Sequence, residues 1–250
     1  MTAQSLGILE FFIIFVRTGT CMMILPGFSA MQVAMRVRLF TALALSVTIH
    51  FLVQGSFSIG STINPAQLIS LIATEFVIAA SLAFPIRFLF LALSFLGEIF
   101  MQMIGLNAIP GTPIADDQAS STLSSLLNIS AIVLFFASGL HMNFIVGLAH
   151  SFIVLPPGEL FSIGAMTEQI TTNLSAFFNI ALRLGAPVIV YAVLMNLVAG
   201  LVNKLTPQIP VYFVSTPFLI LGGLSILVWI GDDMLLLFNM ELDRLINTIF

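Results

Sequence analysis

The sequence predicts an all-α, polytopic helical membrane protein: about six long, partly broken helices arranged as hairpins, with an apolar Gly/Pro loop in mid-chain. Three observations lead there. Of 250 residues, 59% are hydrophobic and only 7% are charged, whereas a soluble domain carries about 25% charged residues. Six apolar runs are each long enough to cross a hydrocarbon core, which takes about 20 helical residues. Proline, the strongest helix breaker, falls mainly between those runs. No linker or low-complexity tract divides the chain, so residues 1–250 are expected to form one helical domain.

The expected spans lie at about 5–25, 37–55, 66–97, 122–155, 168–203 and 213–238. The first stops at Pro26-Gly27, a common C-terminal signal. Its start, Met1-Thr-Ala-Gln, lacks the basic region of a cleavable signal peptide, and Glu10 and Arg17 interrupt the apolar run, so the segment is expected to be retained. The second span follows Arg36 and Arg38. The third opens at Asn64-Pro65-Ala66-Gln67, where Gln can bond back to the cap and Pro suits the first turn. The fourth stops at Pro156-Pro157-Gly158. The fifth closes before Pro207-Gln208-Ile209-Pro210, and the sixth is expected to begin near Pro217.

Three of these runs are too long for simple spans. Helices over 66–97, 122–155 and 168–203 would measure about 48–54 Å, against a ~30 Å core. They must tilt, break or reach past the bilayer, with Pro85 and Pro187 as expected kinks. The fourth run also carries Ser124, Ser125, Asn128, Ser130, Ser138, His141, Asn143 and His150, a polarity that suits contact with other helices rather than lipid tails.

Charges within the runs are few and therefore informative. A charge at the bilayer centre costs about 2.5–3.5 kcal/mol or more. Glu10 and Arg17 share a helix face, as do Arg87 and Glu98; Glu75 and Arg183 also lie inside long runs. Two uses fit them: ion pairs or a polar lumen within an assembly, or snorkelling from helix ends to the headgroups. By the positive-inside rule, Arg36, Arg38 and Lys204 put their connections in the cytoplasm. With six full spans, both termini would then be periplasmic.

The broken stretch between the third and fourth runs comprises Gly105, Leu106, Asn107, Ala108, Ile109, Pro110, Gly111, Thr112, Pro113, Ile114 and Ala115. It cannot continue a helix, yet Ile104, Leu106, Ile109 and Ile114 make it apolar. Irregular backbone at membrane depth survives only where protein buries it or where it lines a cavity. An interior constriction and a loop in the bilayer interface both remain open on these grounds.

Chemistry leaves few marks. Cys21 is the only cysteine, excluding an internal disulfide and a thiolate metal site; a small buried hydrophobe is its expected role. His141 and His150 are nine apart, on opposite helix faces, and no His-Glu-x-x-His or Gly-x-Ser-x-Gly occurs. Asp232 and Asp233 are expected at the interfacial end of the last helix. Seven basic residues and a net charge of −4 oppose a nucleic-acid footprint. No catalytic residue, metal site or cofactor is expected. A secondary transporter is the main rival class, but the faint echo between Pro85-x-Arg87 and Arg183-x-x-x-Pro187 lacks the aligned flanks of a true repeat.

Several motifs, taken together, resemble one family. Phe28-Ser29-Ala30 with Val33-Ala34-Met35-Arg36-Val37-Arg38-Leu39 resembles the paired-arginine turn of the FliR family, export-gate subunits of the bacterial flagellum with related injectisome counterparts. Gly97-Glu98-Ile99 with Met103-Ile104-Gly105 is similar to its Gly-Glu signature. Leu140-His141, Ser151-Phe152, Leu155-Pro156-Pro157-Gly158, Ala181-Leu182-Arg183, Ala186-Pro187, Asn196-Leu197, Pro207-Gln208-Ile209-Pro210-Val211 and Thr216-Pro217-Phe218 follow in the family's order. Met35 stands where the family commonly has Pro, and Met103-Ile104 where it has Gln-Met.

The resemblance implies an assembly with FliP-like and FliQ-like subunits and an FlhB-like switch protein, in the bacterial inner membrane at the flagellar basal body. Residues 1–165 would correspond to a FliP-like part and 166–250 to a FliQ-like helical hairpin. The C-terminus would be cytoplasmic, against the positive-inside count. The chain would complete and close a channel for unfolded flagellar proteins, with residues 105–115 as the closing loop. Glu75, Arg87, Glu98, Arg183, Pro207 and Gln208 become the expected assembly contacts. An injectisome gate subunit would differ only in cargo.

Overall fold

The structure is a computed structural model that describes residues 3–29, 33–55, 64–105, 122–158, 163–208 and 210–250. Among the described residues it contains seven helices and no strand: α1 (Ala3–Ile24), α2 (Met35–Leu52), α3 (Pro65–Met103), α4 (Thr122–Ala137), α5 (Leu140–Val154), α6 (Ile163–Leu205) and α7 (Val211–Ile249). By length and composition five of them can cross a membrane, or six spans result if the bent pair α4–α5 counts as one. The protein is all-α and polytopic.

The over-long runs resolve in two ways. The run over 122–155 breaks at Ser138-Gly139, where α4 and α5 bend by 68°. Gly139 has φ +77, a left-handed conformation that costs little only for glycine. The others stay whole and grow longer: α3 has 39 residues and α6 has 43, or about 58 and 64 Å at 1.5 Å per residue. Both helices continue past their internal prolines, Pro85 and Pro187.

Two expectations about the last helix are corrected. It begins at Val211 rather than near Pro217, because Pro210 already turns the chain into the helix: its carbonyl accepts from Phe213 N–H at 2.9 Å. It also runs to Ile249 rather than 238. Asp232 and Asp233 therefore lie inside α7 and not at its end. Met234, Phe238, Leu242 and Ile246 are all buried, so a stripe at intervals of four carries the helix past the two outward acids.

The chain divides into two compact units. The first comprises Met1–Phe88, Phe135–Leu174 and Glu241–Phe250. In it α1 packs along α2, and Ala79 and Ala83 of α3 are fully buried, small enough to admit neighbouring helices closely. Cys21 is buried as expected, its thiol 3.4 Å from the Ala79 carbonyl. At the start of α3, Asn64 N–H donates to Gln67 Oε1 at 3.0 Å, the reciprocal bond expected at that cap. The second unit comprises Leu89–Leu134 and Ser175–Met240. Its α6 and α7 segments form an antiparallel hairpin, closed midway by the Tyr191 hydroxyl donating to the Phe218 carbonyl at 2.7 Å.

Candidate functional site

Arg17 is the most constrained charge of the first unit. Leu, Ile and Phe neighbours make α1 helical and turn Arg17 inward, where it is 0% exposed. Glu75, also 0% exposed, faces it from α3. Nε donates to Glu75 Oε2 at 2.6 Å, and Nη2 donates to Oε1 at 3.1 Å. Nη2 also donates to the Leu155 carbonyl at 2.9 Å. Nη1 donates to the carbonyl and hydroxyl oxygens of Ser151 at 3.0 and 3.3 Å. Five bonds thus engage the five N–H groups a guanidinium owns. The Phe152 ring lies 4.2 Å beneath the cation.

That network ties three helices, α1, α3 and α5, through one side chain. Burying two charges is costly, and a pair repays the cost only when geometry is good and remaining donors are satisfied. Both conditions hold. The guanidinium has no donor left to offer a ligand, so the cluster acts as a clamp.

Arg87 has a different task. Its Nη1 donates to the Ile24 carbonyl and to Ser29 Oγ, both at 3.2 Å. Ile24 ends α1, so Arg87 satisfies an orphan carbonyl and lies at the negative end of that helix's dipole. In the second unit Glu98 borders an apolar cleft of about 420 Å³ with Leu91, Ser94, Phe95, Ser124, Phe177 and Phe178. Beside it α4 is fastened to α3: Ser124 Oγ donates to the Ser94 carbonyl at 2.6 Å, and Asn128 Nδ2 donates to Ser94 Oγ at 3.2 Å.

Arg183 is exposed on α6 and borders a cleft of about 210 Å³ together with Pro187 and, from α7, Asp233. Pro207 and Gln208 are exposed in the turn between these helices. Gly105 ends the described part of the broken stretch with φ +77; residues 106–115 of the expected closing loop lie outside the described residues.

Of the six expected contact residues, no two are joined by an ion pair among the described residues. Glu75 meets Arg17 instead, and Arg17 does not use Glu10, its expected neighbour on the same face. Sequence reasoning missed this pairing and the part played by Ser151. One signal was present: the first half of α3 holds a single charge, Glu75, and α1 offers one of opposite sign, Arg17, near the middle of its apolar run. Asp233, opposite Arg183 across a cleft, was missed because the acid pair was read as a helix end.

Long apolar helices joined by buried charge and by helix-to-helix hydrogen bonds define a multi-pass membrane protein built from helical hairpins. The family described as bacterial export proteins, family 1, matches residues 8–245. The flagellar biosynthetic protein FliR of Caulobacter vibrioides is 26% identical over 86% of this chain and 85% of its own length. That of Aquifex aeolicus is 30% identical over 81% of this chain and 78% of its own, and that of Escherichia coli is 27% identical over 61% and 59%. The chain belongs to the FliR family of bacterial export proteins. It is a membrane-embedded component of the flagellar export apparatus.

Proposed function

We propose that the chain completes and closes the protein-conducting channel through which unfolded flagellar proteins leave the cell. Its place is the bacterial inner membrane, in the flagellar basal body. Its partners are FliP-like and FliQ-like gate subunits and an FlhB-like switch protein; it binds no nucleic acid and needs no cofactor. Residues 1–165 act as the FliP-like part and 166–250 as the FliQ-like hairpin. Residues 105–115 form the closing loop, since an apolar constriction excludes ions by resisting wetting and Gly and Pro leave it free to shift.

One observation carries the reading. α6 and α7 reach about 64 and 58 Å, twice a hydrocarbon core, and yet large apolar side chains stay exposed along them, from Phe178 and Leu182 to Leu205 and from Phe213 to Met240. Apolar surface that outruns the bilayer needs other helices to cover it. Arg183, Pro207 and Gln208, all exposed, are the assembly contacts of that hairpin, and Glu98 that of α3. Arg87 and Glu75 contribute by holding α1 and α3 in place.

The decisive experiment deletes residues 105–115 and measures ion leak through the assembled gate in liposomes. The leak should rise well above the parent level while FliP-like and FliQ-like subunits still co-purify. An unchanged leak with intact assembly would remove the closing role; loss of co-purification with the unmodified chain would remove the gate itself.

A further inference from the structure

The C-terminal end of α3 is keyed into the α6–α7 hairpin by glycines. A Cβ added to Gly185 of α6 would stand 2.8 Å from Leu96 Cδ2. One added to Gly223 of α7 would overlap Ile104 Cγ2 and lie 3.3 Å from Ile104 Cβ. Leu96 and Ile104 are both buried, so each fills the space that a missing side chain leaves, as small residues allow between membrane helices. The two seats agree in register. Leu184 and Pro187, on either side of Gly185, share a cleft with Ile230 and Asp233, which puts Gly185 level with Gly231. Gly223 lies eight residues from Gly231, and Ile104 lies eight residues from Leu96, about 12 Å along each helix.

Two adjacent glycines weaken a helix interior, yet α7 holds Gly222 and Gly223 side by side. Successive helical residues point about 100° apart, and the pair uses both directions. Gly222 admits Tyr191 of α6, whose hydroxyl donates to the Phe218 carbonyl at 2.7 Å; Gly223 admits Ile104. Tyr191 is held by its hydrogen bond, and β-branched Ile104 has little freedom at χ1, so neither yields easily to a methyl group. Ile104 is also the last residue before the broken stretch. Its N–H donates to the Phe100 carbonyl at 3.0 Å, and Gly105 N–H turns back to the Gln102 carbonyl at 3.2 Å with φ +77, a left-handed glycine that ends the helix. The direction in which the chain leaves α3 is thus set beside the residue that Gly223 holds. We propose that Gly223 is the seat that positions the mid-chain loop: Ile104 docked there fixes the level and direction at which the loop departs, and Gly222 with Tyr191 keeps the seat in place. This rests on the reading of residues 105–115 as the closing loop. Gly223 and Ile104 are positioning residues that act through that loop.

The test uses the chain assembled with its gate partners. Ile104→Cys with Gly223→Cys places two Cβ atoms 3.3 Å apart, near the separation of about 3.5–4.5 Å that a disulfide spans. Mild oxidation should join them within one chain, as read by peptide mass spectrometry. In liposomes, Gly223→Ala should raise ion leak about fivefold, the low end of what overpacking produces, with FliP-like and FliQ-like subunits still bound. Ile104→Ala added to Gly223→Ala makes room for the methyl group and should bring the leak most of the way back, a rescue that general loosening of the hairpin would not show. Should Gly223→Ala fail to assemble, Ile104→Ala alone empties the seat without crowding it and should leak in its place. Absence of the cross-link, or a leak that the second substitution does not relieve, would overturn the seat. A parent-level leak in Gly223→Ala beside a raised leak in the 105–115 deletion would overturn it and leave the closing loop standing. If the deletion also stayed at the parent level, the closing role would fail and the seat would fall with it.

Discussion

Two arginine–acid sets, one in each compact unit, use the same chemistry to opposite ends. Arg17 and Glu75 are both fully buried, and every guanidinium N–H is engaged. Arg183 and Asp233 also come from two helices, but both are exposed and border an open cleft. The surroundings follow the charges. In the most apolar stretch of α3, 67% of residues are buried, against 22% in that of α6 and 6% in that of α7. A closed pair stabilises the chain that owns it. An open pair leaves interaction free energy for something outside the chain. The Arg17–Glu75 clamp is thus complete in itself, while the hairpin is a surface still to be covered.

Breaking the closed pair should produce the largest effect. Glu75→Ala leaves a buried guanidinium without its counter-charge, a change that costs about 3–5 kcal/mol. Unfolding followed in detergent should show that loss, and the chain should accumulate poorly in membranes. Replacing both partners with apolar residues, Arg17→Met with Glu75→Leu, should recover a substantial part, because no charge remains to be desolvated. Were the double variant as unstable as the single one, the cost would come from packing around the clamp rather than from the unpaired charge.

A middling effect is expected at Gly97, where the comparison can be sharpened inside the second unit. A Cβ at this position would stand 2.6 Å from Ser124 Cα, a backbone atom that cannot rotate away. Gly97→Ala should therefore force α3 and α4 apart and cost about 1–3 kcal/mol, the usual range for overpacking. It should also weaken the Ser124 and Asn128 bonds to Ser94. Faster amide exchange confined to α4 would locate the damage there. Unchanged exchange would mean that α4 can shift freely, making this contact as open as the Arg183 cleft.

The apolar runs made the helices legible: length, composition and the breakers at Pro26-Gly27 and Pro156-Pro157-Gly158 were enough to place them. The break at Ser138-Gly139 was not, because one glycine in an apolar run reads like many tolerated ones; only its left-handed φ ends α4. The length of α7 was hidden by Asp232 and Asp233, since two acids look like a boundary when the return of the apolar stripe at Met234 and Phe238 is given too little weight. At the candidate site, the presence of charges was readable and their partners were not. Arg17 and Glu75 are 58 residues apart, and helix periodicity relates only residues on one helix. Pairing across helices is a property of the packed bundle.

The smallest effect should come from the open pair, and it bears most directly on the contrast. Arg183 is exposed and donates no hydrogen bond among the described residues. Arg183→Ala should therefore shift the unfolding free energy of the chain in detergent by no more than about 0.5 kcal/mol, as for surface substitutions away from structural contacts. Trp229→Phe should be equally mild, since the indole is 84% exposed. The same Arg183 variant should nevertheless lose gate partners in membrane preparations, because a charge unused within the chain can matter only to what lies outside it. If Arg183→Ala instead destabilised the detergent-solubilised chain as strongly as Glu75→Ala, the cleft would have to close in solution, with Asp233 completing a second clamp. The hairpin would then be fastened internally as α1 and α3 are, and its exposed apolar face would be the only part of it left for a partner to cover.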